Sequence, residues 1–185
     1  MKKIIILASG SGSNTKNIIE YFENRPSIEI SMVISNKRNA GVFKKVEKYK
    51  IPTIYIDKEF YKKNYLFILL ENIQPDLIIL AGFLLKIPIS IINSFKKKII
   101  NIHPSILPLY GGKGMYGTKI HHLVKKNKDK FSGITIHFVN DEYDKGLIIF
   151  QKKVKLKKSD SVEIISKKVQ ELEHYYYPRE IENLL

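Results

Sequence analysis

The sequence predicts an α/β fold of Rossmann-like type: a mostly parallel, twisted sheet with helices on both faces and an antiparallel edge near the C-terminus. Three observations predict it. Short apolar runs without polar alternation, such as Ile4–Ala8 and Leu77–Ala81, read as strands buried on both faces. Segments with helical spacing separate them, so strand and helix alternate through about the first hundred residues and imply βαβ units. Late in the chain two strand-like stretches meet through a short turn, which makes an antiparallel pair.

The elements follow in order. Ile4–Ala8 runs into the glycine turn Ser9-Gly10-Ser11-Gly12-Ser13-Asn14. Asn14 to Glu23 keeps helical spacing at Ile18, Ile19 and Phe22. Ile28–Ser35 is a second strand, Ala40 to Tyr49 a second helix, and Ile51-Pro52 breaks it before a third strand at Thr53–Ile56. Glu59–Ile73 reads as one long amphipathic helix stopped at Gln74-Pro75, followed by the strand Leu77–Ala81. A short helix near Pro88–Asn93 precedes a strand at Ile99–Ile102. A loop rich in Gly and Pro, His103 to Gly117, leads to a helix over Thr118–Lys126. Its stretch from Tyr110 to Gly117 reads either as a mobile lid or as a plain connector. Strands at Gly133–Val139 and Leu147–Val154 come next, and Ser159-Asp160-Ser161 caps a closing helix that ends near Tyr175–Tyr177.

At 185 residues the chain suits one domain with a substantial core. Charges interrupt every apolar stretch before it reaches the ~20 residues that span a bilayer, so no membrane association is expected. The start, Met1-Lys2-Lys3 before Ile4–Ala8, mimics a signal peptide, but its apolar core is shorter than the ~7–15 residues needed. A first strand explains it, and a cytoplasmic location is expected. Cysteine is absent, which excludes disulfides, thiol nucleophiles and thiolate metal sites.

The formal charge is +14. It invites a nucleic-acid reading, but 29 of the 32 cationic residues are Lys and only Arg25, Arg38 and Arg179 carry the planar fork that reads bases and phosphates. The chain also holds 31 Ile. Lys and Ile rising together at the expense of Arg reads as substitution drift, so runs such as Lys96-Lys97-Lys98 and Lys157-Lys158 are expected to be solvated faces, with no nucleic-acid partner.

In a sheet of this kind ligands bind beyond the carboxyl ends of the strands, where strand order reverses. That rule selects the turn at Gly10–Asn14, the loop after Ala81-Gly82 and the loop opening at Asn101. Gly10–Asn14 lacks the third glycine of G-x-G-x-x-G, where Thr15 stands, and lacks a Gly-Lys-Ser/Thr ending. Two readings stand: a monophosphate cradle of backbone amides with the Ser13 hydroxyl and Asn14 amide, or a tight βα turn that needs Gly for its angles. Asn101 and His103, two apart at a strand end, project to one face, and Pro104 stiffens the start of the loop. An amide donor beside an imidazole suits a carbonyl oxygen that acquires negative charge. The acidic turn Asp141-Glu142-Tyr143-Asp144-Lys145-Gly146 reads, on physics alone, as a turn former. His137, inside an alternating strand, reads as packing, and His121 and His122 are given no role. No His/Asp/Glu cluster stands at ligand spacing, so no metal is expected.

Together these segments resemble the glycinamide ribonucleotide formyltransferase family over nearly the whole chain. The matching stretches are Ala8–Asn14, Val33–Asn36, Pro75–Phe83, Ile100–Pro108, Thr135–Val139 and Asp144-Lys145-Gly146. The Asn-x-His-Pro-Ser stretch and the late Asp are shared by a wider set of formyl-folate enzymes, while the Gly-Ser-Asn turn points to the ribonucleotide. The resemblance implies one formyltransferase domain over 1–185, with a nucleotide-binding half at 1–100 and a folate-binding, catalytic half at 101–185. It implies Asn101, His103 and Asp144 as the catalytic trio. His103 and Asn101 would stabilise a tetrahedral oxyanion while Asp144 keeps the imidazole protonated and helps relay the amine's proton. It implies Gly12, Ser13 and Asn14 at the substrate phosphate, with Gln170 and Glu173 reaching its ribose and glycinamide end. The folate of 10-formyltetrahydrofolate would lie against Leu84, Leu85, Lys86 and Ile87 and against Asn140, Asp141, Glu142, Tyr143 and Asp144. The implied acceptor is glycinamide ribonucleotide, handled by a monomer or homodimer.

The chain departs from the family pattern at Leu84, where an arginine is common, and at Lys145, inside the usual Asp-Gly-Gly. Gly111–Gly117 resembles one branch of the family, and the segment that many relatives carry after the tyrosine cluster is unmatched. Formyltetrahydrofolate hydrolase and the catalytic domain of methionyl-tRNA formyltransferase are the nearest alternatives, each expected to carry a further domain for which this length leaves no room. A basic RNA-binding protein on the same scaffold is the alternative from another class, and it leaves the Asn101, His103 and Asp144 set without a reason.

Overall fold

The computed structural model describes residues 1–185. Seven strands form one sheet: β1 (Lys2–Leu7), β2 (Ile28–Ser35), β3 (Thr53–Tyr55), β4 (Leu77–Leu80), β5 (Ile99–His103), β6 (Phe131–Phe138) and β7 (Ile148–Lys155). Their spatial order is β3-β2-β1-β4-β5-β6-β7. The first five pair in parallel, and β5·β6 and β6·β7 are antiparallel, so the antiparallel edge holds one more pairing than the sequence predicts. The chain builds outward from β1 to β3, then returns to lay β4 on the other side of β1. That reversal opens a crevice between the loops leaving β1 and β4, where the Ser9 amide donates to the Gly82 carbonyl at 3.0 Å.

The unbroken apolar runs bury both faces of the central strands. Ile4 and Ile6 face one core with Ile18, Ile19 and Phe22 of α1 (Ser13–Phe22) and Val169, Tyr177 and Ile181 of the last helix. Ile5 and Leu7 face a second core with Leu66, Leu70, Ile91 and Ile92. All four β1 residues are fully buried, each contributing about 1.5–3 kcal/mol relative to exposure. Alternation along one strand thus fixes a helix layer on each side.

Three helices differ from expectation. The second is α2 (Gly41–Val46), its last turn continuing as a 3-10 turn over Glu47–Tyr49. The predicted Glu59–Ile73 helix is two, α3 (Lys58–Lys62) and α4 (Tyr65–Ile73), because Asn64 adopts a left-handed φ of 58° that no α-helix accommodates. Asp57 caps the first, accepting from the Phe60 amide at 2.7 Å. The helices α5 (Ile89–Ser94) and α6 (Thr118–Lys126) lie where the spacing places them.

The closing helix, α7 (Val162–Asn183), is capped by Ser161 as expected. It then continues beyond the tyrosine cluster and through Pro178. Tyr177, Pro178 and Ile181 are buried, and that packing holds the final turns helical across the proline. The lysine runs at 96–98 and 157–158 are exposed, as a solvated face requires. No helix is long and apolar enough to cross a membrane.

Candidate active site

A cleft of about 410 Å³ opens over the carboxyl ends of β1, β4 and β5. It gathers two of the three predicted loops whole and half of the acidic turn. Gly12, Ser13 and Asn14 form one end, Leu84, Leu85, Lys86 and Ile87 a wall, and Asn101 and His103 the floor. Asn140, Glu142, Tyr143 and Asp144 close the side opposite, and Glu173 reaches in from α7. Asp141 does not line the cleft. Gln170 does not line it either, but its amide donates to the Ser13 hydroxyl at 3.2 Å. His121 and His122, on α6, lie away from it.

Gly12 is the N-cap of α1, with φ 77°, and a Cβ there would sit 2.6 Å from the Val42 backbone. Only glycine fits, so the first amides of α1 can face the cleft. The Asn14 amide donates to Glu173 Oε2 at 3.0 Å, so one of its two hydrogens is engaged within the protein, while its Oδ1 is buried without a partner.

The floor is a network around Asp144. In the antiparallel β5·β6 pair Asn101 stands directly opposite His137. His137 Nδ1 lies 2.9 Å from the Phe138 carbonyl, which can only accept, so that nitrogen carries the hydrogen. Its Nε2 then accepts from the Asn101 amide at 3.2 Å. The second Asn101 hydrogen points toward Asp144 Oδ1 at 3.5 Å, the outer limit of a hydrogen bond. Asp144 Oδ1 also lies 3.6 Å from His137 Nε2, and Oδ2 lies 3.5 Å from His103 Nδ1. Oδ2 accepts from the Gly112 amide at 2.9 Å, and His103 donates through Nε2 to the Tyr110 carbonyl at 2.8 Å.

His137 is therefore part of the site and not a packing residue. Its signal was its place opposite Asn101, which becomes legible only once β6 is paired with β5. The acidic turn is likewise more than a turn former. Asp144 holds a left-handed φ of 57°, tolerable for Asp, which turns its carboxylate inward. At Gly146 a Cβ would fall 1.7 Å from the Phe138 carbonyl oxygen, so the hairpin closes only with glycine there.

Burial pushes the Asp144 carboxyl up, but its polar neighbours, the Gly112 amide among them, outweigh it and hold it below its ordinary range. The expected pull of Asp144 on the His103 imidazole meets an opposing effect. Burial pulls the imidazole down, and the opposing pull of Asp144 and the Tyr110 carbonyl does not overcome it.

The loop over this floor is partly tethered. The Tyr110 hydroxyl donates to Asp129 and accepts from the Asn127 amide, and Met115 packs on the small core of Ile120, Val124, Leu156 and Ile165. Tyr116, 54% exposed, lines the cleft between Gly114 and Gly117.

Burial pushes the Glu173 carboxyl up to about 7, against the Asn14 amide. The folded protein then keeps a proton that the unfolded chain, with an ordinary value of 4.5, has released. This group's contribution to stability therefore falls as pH climbs from about 4.5 to about 7 and is level above. Urea unfolding of wild type and Glu173→Gln should show the difference turning against wild type across that window. A pH-independent difference would contradict the assignment.

The chain is similar to known proteins in both sequence and fold. The pattern of the family described as Formyl transferase matches residues 2–181. The phosphoribosylglycinamide formyltransferase of Bacillus subtilis is 32% identical over 191 residues, covering 100% of this chain and 95% of that protein. The chloroplastic phosphoribosylglycinamide formyltransferase of Arabidopsis thaliana is 35% identical over 95% of this chain, which spans 63% of the plant protein's length. The crystal structure of the Bacillus halodurans phosphoribosylglycinamide formyltransferase superposes with a TM-score of 0.89 at 31% identity, covering 100% of this chain and 95% of that one.

Proposed function

Because this chain belongs to the formyl transferase family, we propose that it moves the formyl group of 10-formyltetrahydrofolate onto the amine of glycinamide ribonucleotide, yielding the N-formyl product and tetrahydrofolate. The observation that carries the proposal is the convergence of Asn101, His103 and Asp144 in one cleft with the helix start at Gly12, whose free amides suit an anion. Residues 1–100 supply the phosphate turn and 101–185 the catalytic floor, with Glu173 and Gln170 crossing back to Asn14 and Ser13. The ribonucleotide lies from the amides of Gly12, Ser13 and Asn14 toward Asp144. The folate lies between Leu84–Ile87 and the turn at Asn140, Glu142 and Tyr143.

The amine attacks the formyl carbon directly, and negative charge develops on the formyl oxygen. The Asn101 hydrogen held at 3.5 Å from Asp144 is the least committed donor on the floor and turns to that oxygen. His137 keeps the other amide hydrogen and so keeps Asn101 oriented. While the oxygen is charged, His103 borrows the proton that the attacking nitrogen sheds, with Asp144 as its counter-charge, and gives it back as the intermediate collapses. The attacking nitrogen's proton leaves through Asp144 and water to the folate nitrogen as the C–N bond breaks, so protons balance and no oxidant or reductant enters.

Acceptor discrimination separates this reading from its relatives. With formyl-folate saturating, the ribonucleotide should accept formyl with a kcat/KM at least about 10²-fold above the dephosphorylated riboside, because the riboside forfeits the charge-assisted contacts at the α1 start. Release of formate to water, or transfer to methionyl-tRNA, should be negligible. Equal activity on the riboside would overturn the role of the Gly12–Asn14 turn, and preferred transfer to water or tRNA would overturn the acceptor.

A further inference from the structure

A proline inside a helix removes one amide and leaves the carbonyl four residues earlier without its partner. In α7 that proline is Pro178 and the carbonyl is that of His174. It is not left unpaired: the side-chain amide of Asn17, on α1, donates to it at 2.7 Å. The donor stands one helical turn beyond Ser13 and Asn14, and the acceptor is adjacent to Glu173. The same seam carries Gln170 to Ser13 at 3.2 Å, Asn14 to Glu173 at 3.0 Å, and Arg25 to Glu182 at 2.7 Å. The Asn17 bond is the only one of the four that ends on α7 backbone, so it is the one that sets the helix itself. The others attach movable side chains.

We propose that Asn17 is a positioning residue for the anion-binding end of the cleft: by capturing the carbonyl that Pro178 orphans, it holds α7 in the register that brings Glu173 onto Asn14. Asn17 touches no reacting atom. Its effect passes through the backbone of His174 to the neighbouring Glu173 and Gln170. The inference deepens the proposed function and rests on it for the identity of the ligand, but not for the contact between the helices.

The two residues make a thermodynamic cycle. Replacing Pro178 by Ala restores an amide that can bond the His174 carbonyl within α7, which makes Asn17 dispensable. The lost proline ring contributes equally to both arms and cancels. Asn17→Ala alone should raise the KM for the ribonucleotide about tenfold, with kcat and the folate KM within about twofold, as for a buried carbonyl left unpaired. In the Pro178→Ala background the same substitution should raise it less than about threefold. A rise of equal size in both backgrounds, no rise in either, or an equal loss in the folate KM would overturn the proposal. Should wild type transfer no formyl to the ribonucleotide, the functional reading fails instead. The cycle is then read in melting temperature: a loss from Asn17→Ala that shrinks in the Pro178→Ala background upholds the coupling, and an unchanged loss overturns it.

Discussion

Replacing Asp144 by Asn is expected to lower kcat by about 10²–10⁴ while leaving both KM values within a few-fold. The substitution suits the site because Asn, like Asp, tolerates the left-handed backbone that Asp144 adopts, so the turn from Asn140 to Gly146 stays in place. The Gly112 amide keeps an oxygen to bond. What disappears is the charge beside His103 and the oxygen that takes up a proton. Both matter when charge develops on the formyl oxygen and little in the ground state, so the loss falls on turnover. His103→Ala should fall in the same range, and the double variant should fall little further, because the two act as one unit. Steady-state kinetics with each substrate varied in turn checks this. A raised KM with kcat intact would assign Asp144 to binding alone.

Gly12→Ala should be strongly damaging although it lies outside the catalytic floor. At φ 77° a side chain costs about 1–2 kcal/mol, and the added Cβ would lie 2.6 Å from the Val42 backbone, which is buried against α1. Relief requires α2 or the start of α1 to shift, adding about 1–3 kcal/mol as overpacking does. The variant should melt several degrees lower, and its KM for the ribonucleotide should rise more than its KM for formyl-folate, since only the first substrate ends on this turn. Equal effects on the two would mean a general loss of folding instead of a displaced anion site. At Gly10, where a Cβ meets no protein atom within 4 Å, Ala should leave the melting temperature nearly unchanged and is the control for folding.

How much of this was legible in the sequence depends on how local each signal is. The unbroken runs at Ile4–Ala8 and Leu77–Ala81 specify strands buried on both faces, and those strands carry the cleft at their carboxyl ends. Asn101 and His103 announce themselves because period two along a strand is a local rule. His137 does not, since its meaning lies in the strand opposite, and no spacing along β6 shows that Asn101 faces it. Asp144 reads as a turn former on local chemistry, and only its left-handed backbone and the Gly146 approach reveal that the hairpin aims it inward. The Asn64 break and the helix that runs through Pro178 both depart from the helical spacing that the sequence shows. In the first a single residue's backbone overrides helical spacing, and in the second Asn17 supplies from another helix what the proline lacks. The downward pull of burial on the His103 imidazole has the same origin, because burial is a property of the whole fold and opposes the neighbouring carboxylate.

The most direct test of formyl transfer tracks the formyl carbon itself. The protein is incubated with 10-formyltetrahydrofolate bearing an isotopic label in the formyl group and with glycinamide ribonucleotide. The products are then identified by mass over several turnovers. One labelled formyl group should appear on the glycinamide amine for each tetrahydrofolate released, with no free formate accumulating, and Asp144→Asn should suppress both products together. Release of tetrahydrofolate with labelled formate and an unmodified ribonucleotide would contradict the assigned reaction.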